Sequence, residues 1–388
     1  MVKAVGIDPG TMSMDIFGFD DETNEVIADL SVPRDKVTEN PALIIDLLKK
    51  IEREVGGIDA IVAPSGYGMP LRKACDAEDW EINLATFVSR QDAERRLRIM
   101  GLRELMYRLK RSNLNVWFAP GVIHLPTVPR YRKANRIDLG TADKVFTAVI
   151  AVKDHAEYYN VPYSDSRLIV VEIGYAYTAA LAIENGKIVD AVGGTSGWTG
   201  YLGMGFMDAE LAYALANALP EISKETLFRG GAAYIAGIDP RRTDIEEFVK
   251  LARKDPRVRE GYQAMIEAVL KDIASLLVTV RKPREILLSG RFTRIEEFRE
   301  DLCSAIRELL EDLGVRANIR TIRRTAKIAK EAAEGAALIA NGIAGGKYRN
   351  LIEVLELDKS SGTILDYVML DENTRRTLFE YFTRAHTS

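Results

Sequence analysis

Two cysteines, three histidines and only two glutamines occur in 388 residues, and each shortage removes a class of chemistry. Cys75 and Cys303 lie far apart, with no CxxC or CxxH around them, so neither a disulfide framework nor a zinc site is signalled. Each reads as a small buried hydrophobe. His124, His155 and His386 are equally scattered, which leaves a histidine metal site or a Ser-His-Asp triad without support. Gln91 and Gln263 stand alone among abundant Arg and Glu, a bias of heat-adapted proteins. No apolar run approaches the ~20 residues of a membrane span, and no basic segment leads into one at Met1. No membrane partner and a cytoplasmic location are therefore expected. An excess of positive charge is missing too: Lys and Arg number 53 against 57 acids, net charge −4. Nucleic acid is not an expected partner, because phosphate-backbone binding needs a basic surplus.

What is present is a chain able to build cores, with 47% hydrophobic and 28% charged residues. Its length exceeds one ordinary core and suits two lobes of ~150–200 residues with a cleft. Sliding the sequence along itself reveals an echo. AVGIDPGTMSMDIFGFDDETNEVIADLSV (4–32) and LIVVEIGYAYTAALAIENGKIVDAVGG (168–194) share the order strand, acidic residue, glycine turn, strand, polar turn, strand. Asn185-Gly186 is a hairpin turn of the type that needs positive φ. The echo aligns Asp8 with Glu172 and Gly10 with Gly174. A helix then leads into a strand in each half: 41–55 into 58–64, and 261–280 into 285–290. The expected fold is α/β, with duplicated β-β-β-α-β units and a cleft between the halves. Apolar residues at helical spacing mark further helices near 90–110, 143–158, 207–218, 294–313 and 325–343. The expected domains are 1–165, 166–345 and an appendage over 346–388 that packs on the lobes.

An acidic strand end followed by Pro-Gly-Thr puts a carboxylate beside a turn whose N–H groups and hydroxyl can cradle a phosphate. Asp8, Gly10 and Thr11 form that set; Asp8 would hold the waters of a Mg²⁺, which keeps much of its hydration shell. Glu172, Gly174 and Thr178 repeat it, although Tyr175 and Tyr177 crowd the second turn. Ser289 and Gly290 end a strand in ILLSGRF, where a purine or ribose could lie against glycine backbone. Gly335, in the small-residue helix EAAEGAALIANG, permits close approach either of the nucleotide or of a packed neighbour. Upstream, Arg130, Arg132, Lys133 and Arg136 precede Asp138, Thr141, Asp143 and Lys144. Thr141 suits an N-cap; Arg132 and Arg136 could clamp a carboxylate or phosphoryl group, and Asp138 or Asp143 could orient an acceptor. The alternative for this stretch is a solvated basic loop before a capped helix. GGTSGWTGYLGMG (193–205) reads as a cleft-lining loop.

Together these motifs resemble the actin-like ATPase superfamily of actin, heat-shock ATPases and sugar and acetate kinases, whose lobes have a ribonuclease H-like fold. Within it the acetate and butyrate kinases are most similar. VGIDPGTMSMDIFGF is similar to their opening INPGSTSTKIAVF, and VEIGYAYTAALAIENGKIVDAVGG to their second phosphate hairpin. ILLSGRF is similar to the adenosine segment ILTGGIA, and EAAEGAALIANG to the closing EALALGAL helix. An archaeal branch related to butyrate kinases is the expected closer kin. The resemblance implies ATP and Mg²⁺ held by Asp8 and Glu172 through water. It also implies a small-molecule carboxylate or hydroxyl acceptor and an ATP-dependent phosphotransferase; a homodimer is allowed. Departures stand beside it: Glu172 replaces a family histidine, and IVAPSGYG and GTSGWTGYLG lack arginines that neutralise the transferring group. Arg72 or the 130–136 cluster is left to replace them. A nucleotide-gated binding or regulatory protein is the competing reading.

Overall fold

Alternation along Lys3–Pro9 (β1) decides what each face of the first sheet meets. Val5 and Ile7 join the buried cluster of Ile44, Leu48 and Leu105, while Gly6 and Asp8 occupy the other face. In the computed structural model, which describes residues 1–95 and 98–384, the chain forms two units. One contains Met1–Ser166, Asn185–Val189 and the chain from Ile322 onward; the other contains Arg167–Glu184 and Asp190–Thr321.

In the first unit, β1 pairs antiparallel with Ser13–Asp20 (β2), and β2 with Val26–Pro33 (β3). Ala60–Val62 (β4) runs parallel to β1, and Arg72–Lys73 (β5) and Val116–Phe118 (β6) complete the order β3-β2-β1-β4-β6-β5. In the second unit, Leu168–Ile173 (β7), Thr178–Glu184 (β8) and Lys187–Val192 (β9) form the matching meander. Glu285–Ser289 (β10) and Asn318–Thr321 (β11) add parallel strands in the order β11-β10-β7-β8-β9. The duplicated unit read from the sequence is present, with helices Ala42–Val55 and Pro256–Leu277 ahead of β4 and β10. Asn185 and Gly186 both have positive φ, as the hairpin turn demands.

Two glycines let a helix lie on the first sheet. A Cβ on Gly6 would strike the backbone of Ala333 and Ala337 in helix Glu331–Ile343, and one on Gly335 would strike the Phe146 carbonyl in helix Ala142–Tyr159. Gly335 is thus spent on helix packing rather than on a ligand, because the neighbouring backbone fills the space above it. The Glu331 helix begins six residues later than periodicity suggests. Residues 325–329 are instead held extended by two carboxylates: Glu334 accepts from Thr325 and Ala326 N–H (2.7 and 3.0 Å), and Asp29 from the N–H groups of Lys327, Ile328 and Ala329. Side-chain acceptors that satisfy backbone donors compete with the helix here. Residues 96–97, inside the segment read as one helix over 90–110, lie outside the described residues; Arg90–Glu94 and Arg98–Lys110 flank them. Cys75 is exposed, contrary to expectation, and Cys303 is half-buried on helix Glu296–Asp312. No helix among the described residues is long and apolar enough to cross a membrane.

One ion pair fastens the parallel end of the second sheet. Glu285 is fully buried and takes a bidentate contact from Arg320 (Nε 2.6 Å, Nη2 2.9 Å). Arg320→Ala strands that carboxylate, and removal of one partner of a buried pair costs about 3–5 kcal/mol. A lowered urea midpoint with unchanged far-ultraviolet dichroism at low urea is the expected result; an unshifted midpoint would show that Glu285 is solvated there.

Candidate functional site

The strap 325–329 has one consequence for chemistry: it delivers Lys330 to the tip of β1. The Lys330 ammonium donates to the Asp8 carboxylate and lies 3.7 Å from Asp15 Oδ2, while its backbone N–H donates to Asp15 (3.1 Å). Asp8 and Asp15 are cross-strand partners, so one cation serves both. Asp15 is also fixed by the Ser31 hydroxyl (2.7 Å). Gly10 is required beside them, since a Cβ there would collide with Lys330 Nζ. Asp8 is 2% exposed. Burial pushes its carboxyl above the usual range, with Asp143 and Asp15 adding to the rise and Lys330 opposing it.

Asp143 contributes from the first turn of the Ala142 helix. It accepts from the Thr141 hydroxyl and from Lys144 Nζ (2.6 Å). Against burial, which would raise it, Lys144, Thr141 and Lys330 hold its carboxyl below the usual range. Thr141 occupies the N-cap position, yet its hydroxyl serves Asp143 rather than a backbone N–H. The first unit therefore gathers Asp8, Asp15 and Asp143 with Lys330 and Lys144. Lys330 and Asp15 escaped the sequence reading. Asp15's signal was its place across the hairpin from Asp8; Lys330 had only its position ahead of the small-residue helix.

The remaining residues of this unit have other employment. Asp138 accepts from Gly140 N–H (2.9 Å) and shapes the turn ahead of the Ala142 helix. The Arg132 guanidinium donates to the Val189 carbonyl (2.6 Å). Arg136 follows the short helix Arg130–Lys133, its N–H bonded to the Lys133 carbonyl. Thr11 is half-exposed in the bend after β1.

In the second unit, Glu172 and Ser289 stand side by side at the ends of β7 and β10. Gly290 follows with φ +97°, where a side chain would hit the Ile173 backbone. Gly174 and Thr178 depart from the expected cradle, because their donors are consumed inside the turn. Gly174 N–H donates to the Tyr177 carbonyl (3.0 Å), and the Thr178 hydroxyl to Asp272 Oδ2 (3.1 Å). The Tyr177 ring fills a nest in which a Cβ on Gly194 or Gly203 would collide with it.

Asp272 is fully buried and its Oδ1 has no hydrogen-bond partner. Burial pushes its carboxyl from 3.8 up to about 7, against hydrogen bonds from Thr178 and the Trp198 backbone. Between about pH 4 and 7 the folded chain keeps this proton while the unfolded chain releases it. Stability therefore falls as pH rises through that window. Asp272→Asn is expected to flatten the fall, read as urea midpoints from pH 5 to 8; an unchanged slope would show that Asp272 ionises freely in the fold.

Among the described residues no cluster of three or more His, Cys, Asp or Glu side chains is arranged to hold a metal. Mg²⁺ does not need such a cage, since it commonly takes one or two carboxylates and completes its shell with water and phosphate. Asp8 and Asp143, poor in protein donors other than ammonium and hydroxyl groups, fit that role.

The comparisons with known proteins agree with this architecture. A family model described as "Protein of unknown function (DUF1464)" matches residues 6–370. No curated protein matches the sequence. Among solved structures, the chain is similar to a propionate kinase from Francisella tularensis at 14% identity and TM-score 0.60, covering 86% of this chain and 99% of that one. An acetate kinase from Porphyromonas gingivalis (11% identity, TM-score 0.59) covers 88% and 99%, and one from Entamoeba histolytica (13%, 0.56) covers 80% and 87%. Likeness at these identities establishes the fold, which is the α/β actin-like ATPase fold.

Proposed function

As a member of the DUF1464 family, to which the chain belongs, it is proposed here to work as a phosphotransferase: we infer that it moves the γ-phosphoryl group of ATP to a small carboxylate or hydroxyl acceptor. The observation that carries this reading is the Lys330 ammonium seated on Asp8, with Asp143 and Lys144 close enough to perturb the same charges. Phosphoryl transfer asks little covalent chemistry of the protein; it asks for positioning and for positive charge against the equatorial oxygens. The arginines and histidine that serve related kinases are missing at the matched positions. Lys330 and Lys144, 17% and 15% exposed, supply two shielded cations in their place. Shielding matters because charge stabilisation strengthens where water is excluded.

Asp8 and Asp143 would hold Mg²⁺, which when bound neutralises the phosphates and fixes their direction. Lys330 would turn from Asp8 toward the transferring group, and Lys144 would keep Asp143 ionised. The acceptor oxygen then forms its bond to the γ-phosphorus as the bond to the bridging oxygen breaks, and ADP departs with that electron pair. For a carboxylate acceptor the product is an acyl phosphate. Glu172, Ser289 and Gly290 are assigned to the nucleotide, and Arg132 and Arg136 to the acceptor's surroundings.

Purified chain with Mg·ATP and a panel of short carboxylates, trapped with hydroxylamine, tests the reading directly. A coloured hydroxamate and matching ADP release are expected with at least one acceptor, or ADP release alone with a hydroxylated one. The second reading, a nucleotide-gated binding protein, draws on Tyr177 and on the internally bonded Gly174 and Thr178. Tight ATP binding with no acceptor-dependent turnover across carboxylates and sugars would decide for it.

A further inference from the structure

Helix Ala209–Ala218, AELAYALANA, has no buried residue, although it is almost wholly apolar. It is a well-formed helix: the Asp208 side chain caps it by accepting from Glu210 and Leu211 N–H (2.9 and 3.2 Å). Ten residues are too few for a helix to be robust alone in water, where packing of a face normally supplies the stability. An apolar helix also belongs in an interior. Around it the exposure continues: Phe206 is 46% exposed, Leu211 45%, Tyr213 68%, Leu219 44%, Ile222 38% and Phe228 39%. At ~150–250 Å² for a large side chain, these six expose roughly 500 Å². That reaches the largest apolar patches of ordinary monomers, ~300–600 Å². With the alanine methyl groups added it approaches the ~800 Å² each partner contributes to a standard interface.

The chemistry of the patch selects its occupant. Residues 211–220, LAYALANALP, carry no charge, and the helix has no Lys or Arg. A membrane surface or nucleic acid would require a basic face. Acids sit ahead of the uncharged stretch at Asp208 and Glu210, and cations follow it at Lys224 and Arg229. Laid antiparallel about a twofold axis, two such segments bring apolar centre to apolar centre and the acidic end of each to the basic end of the other. A parallel arrangement would set acid on acid. We propose that this face binds a second copy of the chain, the Ala209 helices crossing antiparallel at the centre of a twofold dimer. The dimer is independent of the phosphotransferase reading and does not require turnover.

Light scattering on the full-length chain across a concentration series is the test, and the expected mass is twice the 43.2 kDa of one chain. Leu211→Glu combined with Leu219→Glu places charge at the centre of the interface and should weaken association by at least about tenfold, since centrally buried apolar anchors dominate interface energies. Both side chains are exposed in the single chain, so the variant should keep its dichroism and melting temperature at dilutions where wild type is monomeric. Leu313→Glu, on an apolar residue outside this segment that is 52% exposed, should leave the dimer intact. A wild-type monomer at high concentration overturns the proposal. So does a dimer that survives the double variant. A monomer whose residues 209–218 gain hydrogen-exchange protection only with Mg·ATP also overturns it, and would give the face to another part of the same chain.

Discussion

Lys330→Met is expected to lower acceptor-dependent ADP release by about 10²–10³ while leaving the fold in place, the usual loss when one preorganised charge stabiliser is removed. Because the ammonium also satisfies Asp8, the single variant buries a lone carboxylate and should melt earlier than wild type. The two roles separate in a double variant. Lys330→Met with Asp8→Asn removes both charges, so stability should largely return while turnover stays lost. Lys330→Arg keeps the cation but changes its reach and geometry, and should restore stability more than rate. Equal rescue of stability and turnover in the double variant would show that Lys330 is structural only. Turnover by Lys330→Met at the wild-type rate would remove the observation on which the phosphotransferase reading rests.

Gly335→Val should be the most destabilising single substitution in the first unit. Its side chain has nowhere to go except into the Phe146 carbonyl, and backbone cannot rotate aside as a flexible side chain can. Overpacking costs of ~1–3 kcal/mol describe sites that relax through side chains, so a loss of about 3 kcal/mol or more is expected here. Gly6→Val, which would meet the same Glu331 helix from the sheet side, should behave alike. Thermal melting and soluble yield report the effect. A melting temperature within a degree or two of wild type would mean that the Glu331 and Ala142 helices are not locked as described. Any loss of activity in these variants should follow the folded fraction, because neither glycine reaches a ligand.

These two results bear on how much could be read in advance. Asp8 was legible because a strand-ending acid before Pro-Gly-Thr is a local pattern, and Asp143 because it falls in the first turn of a helix whose start Thr141 marks. Local chemistry of that kind survives folding. Lys330 was not legible, since its meeting with Asp8 spans 322 positions and depends on Asp29 and Glu334 holding the strap open against its helical periodicity. Thr178 and Gly174 show the opposite error. Their types suit a phosphate turn, yet Asp272 and Tyr177, set by the packing of the second unit, take their hydrogen bonds first. Gly335 suited either close approach of a nucleotide or close packing, and only the neighbouring Phe146 backbone chose between them.

By itself, then, the sequence determined the duplicated α/β plan. A repeated order of strands, turns and helices is written in alternation, in Asn-Gly turns and in helical spacing, all of which act over a few residues. It also determined which carboxylates end strands. The tertiary structure alone decided which cations meet those carboxylates, which glycines serve packing, and that the chain beyond Ile322 returns to the first unit. It also decided that the Ala209 helix is left uncovered within its own chain. The reason is physical: pairing and burial between distant segments depend on where the backbone carries them, and local sequence encodes only the preferences that such contacts then satisfy or override.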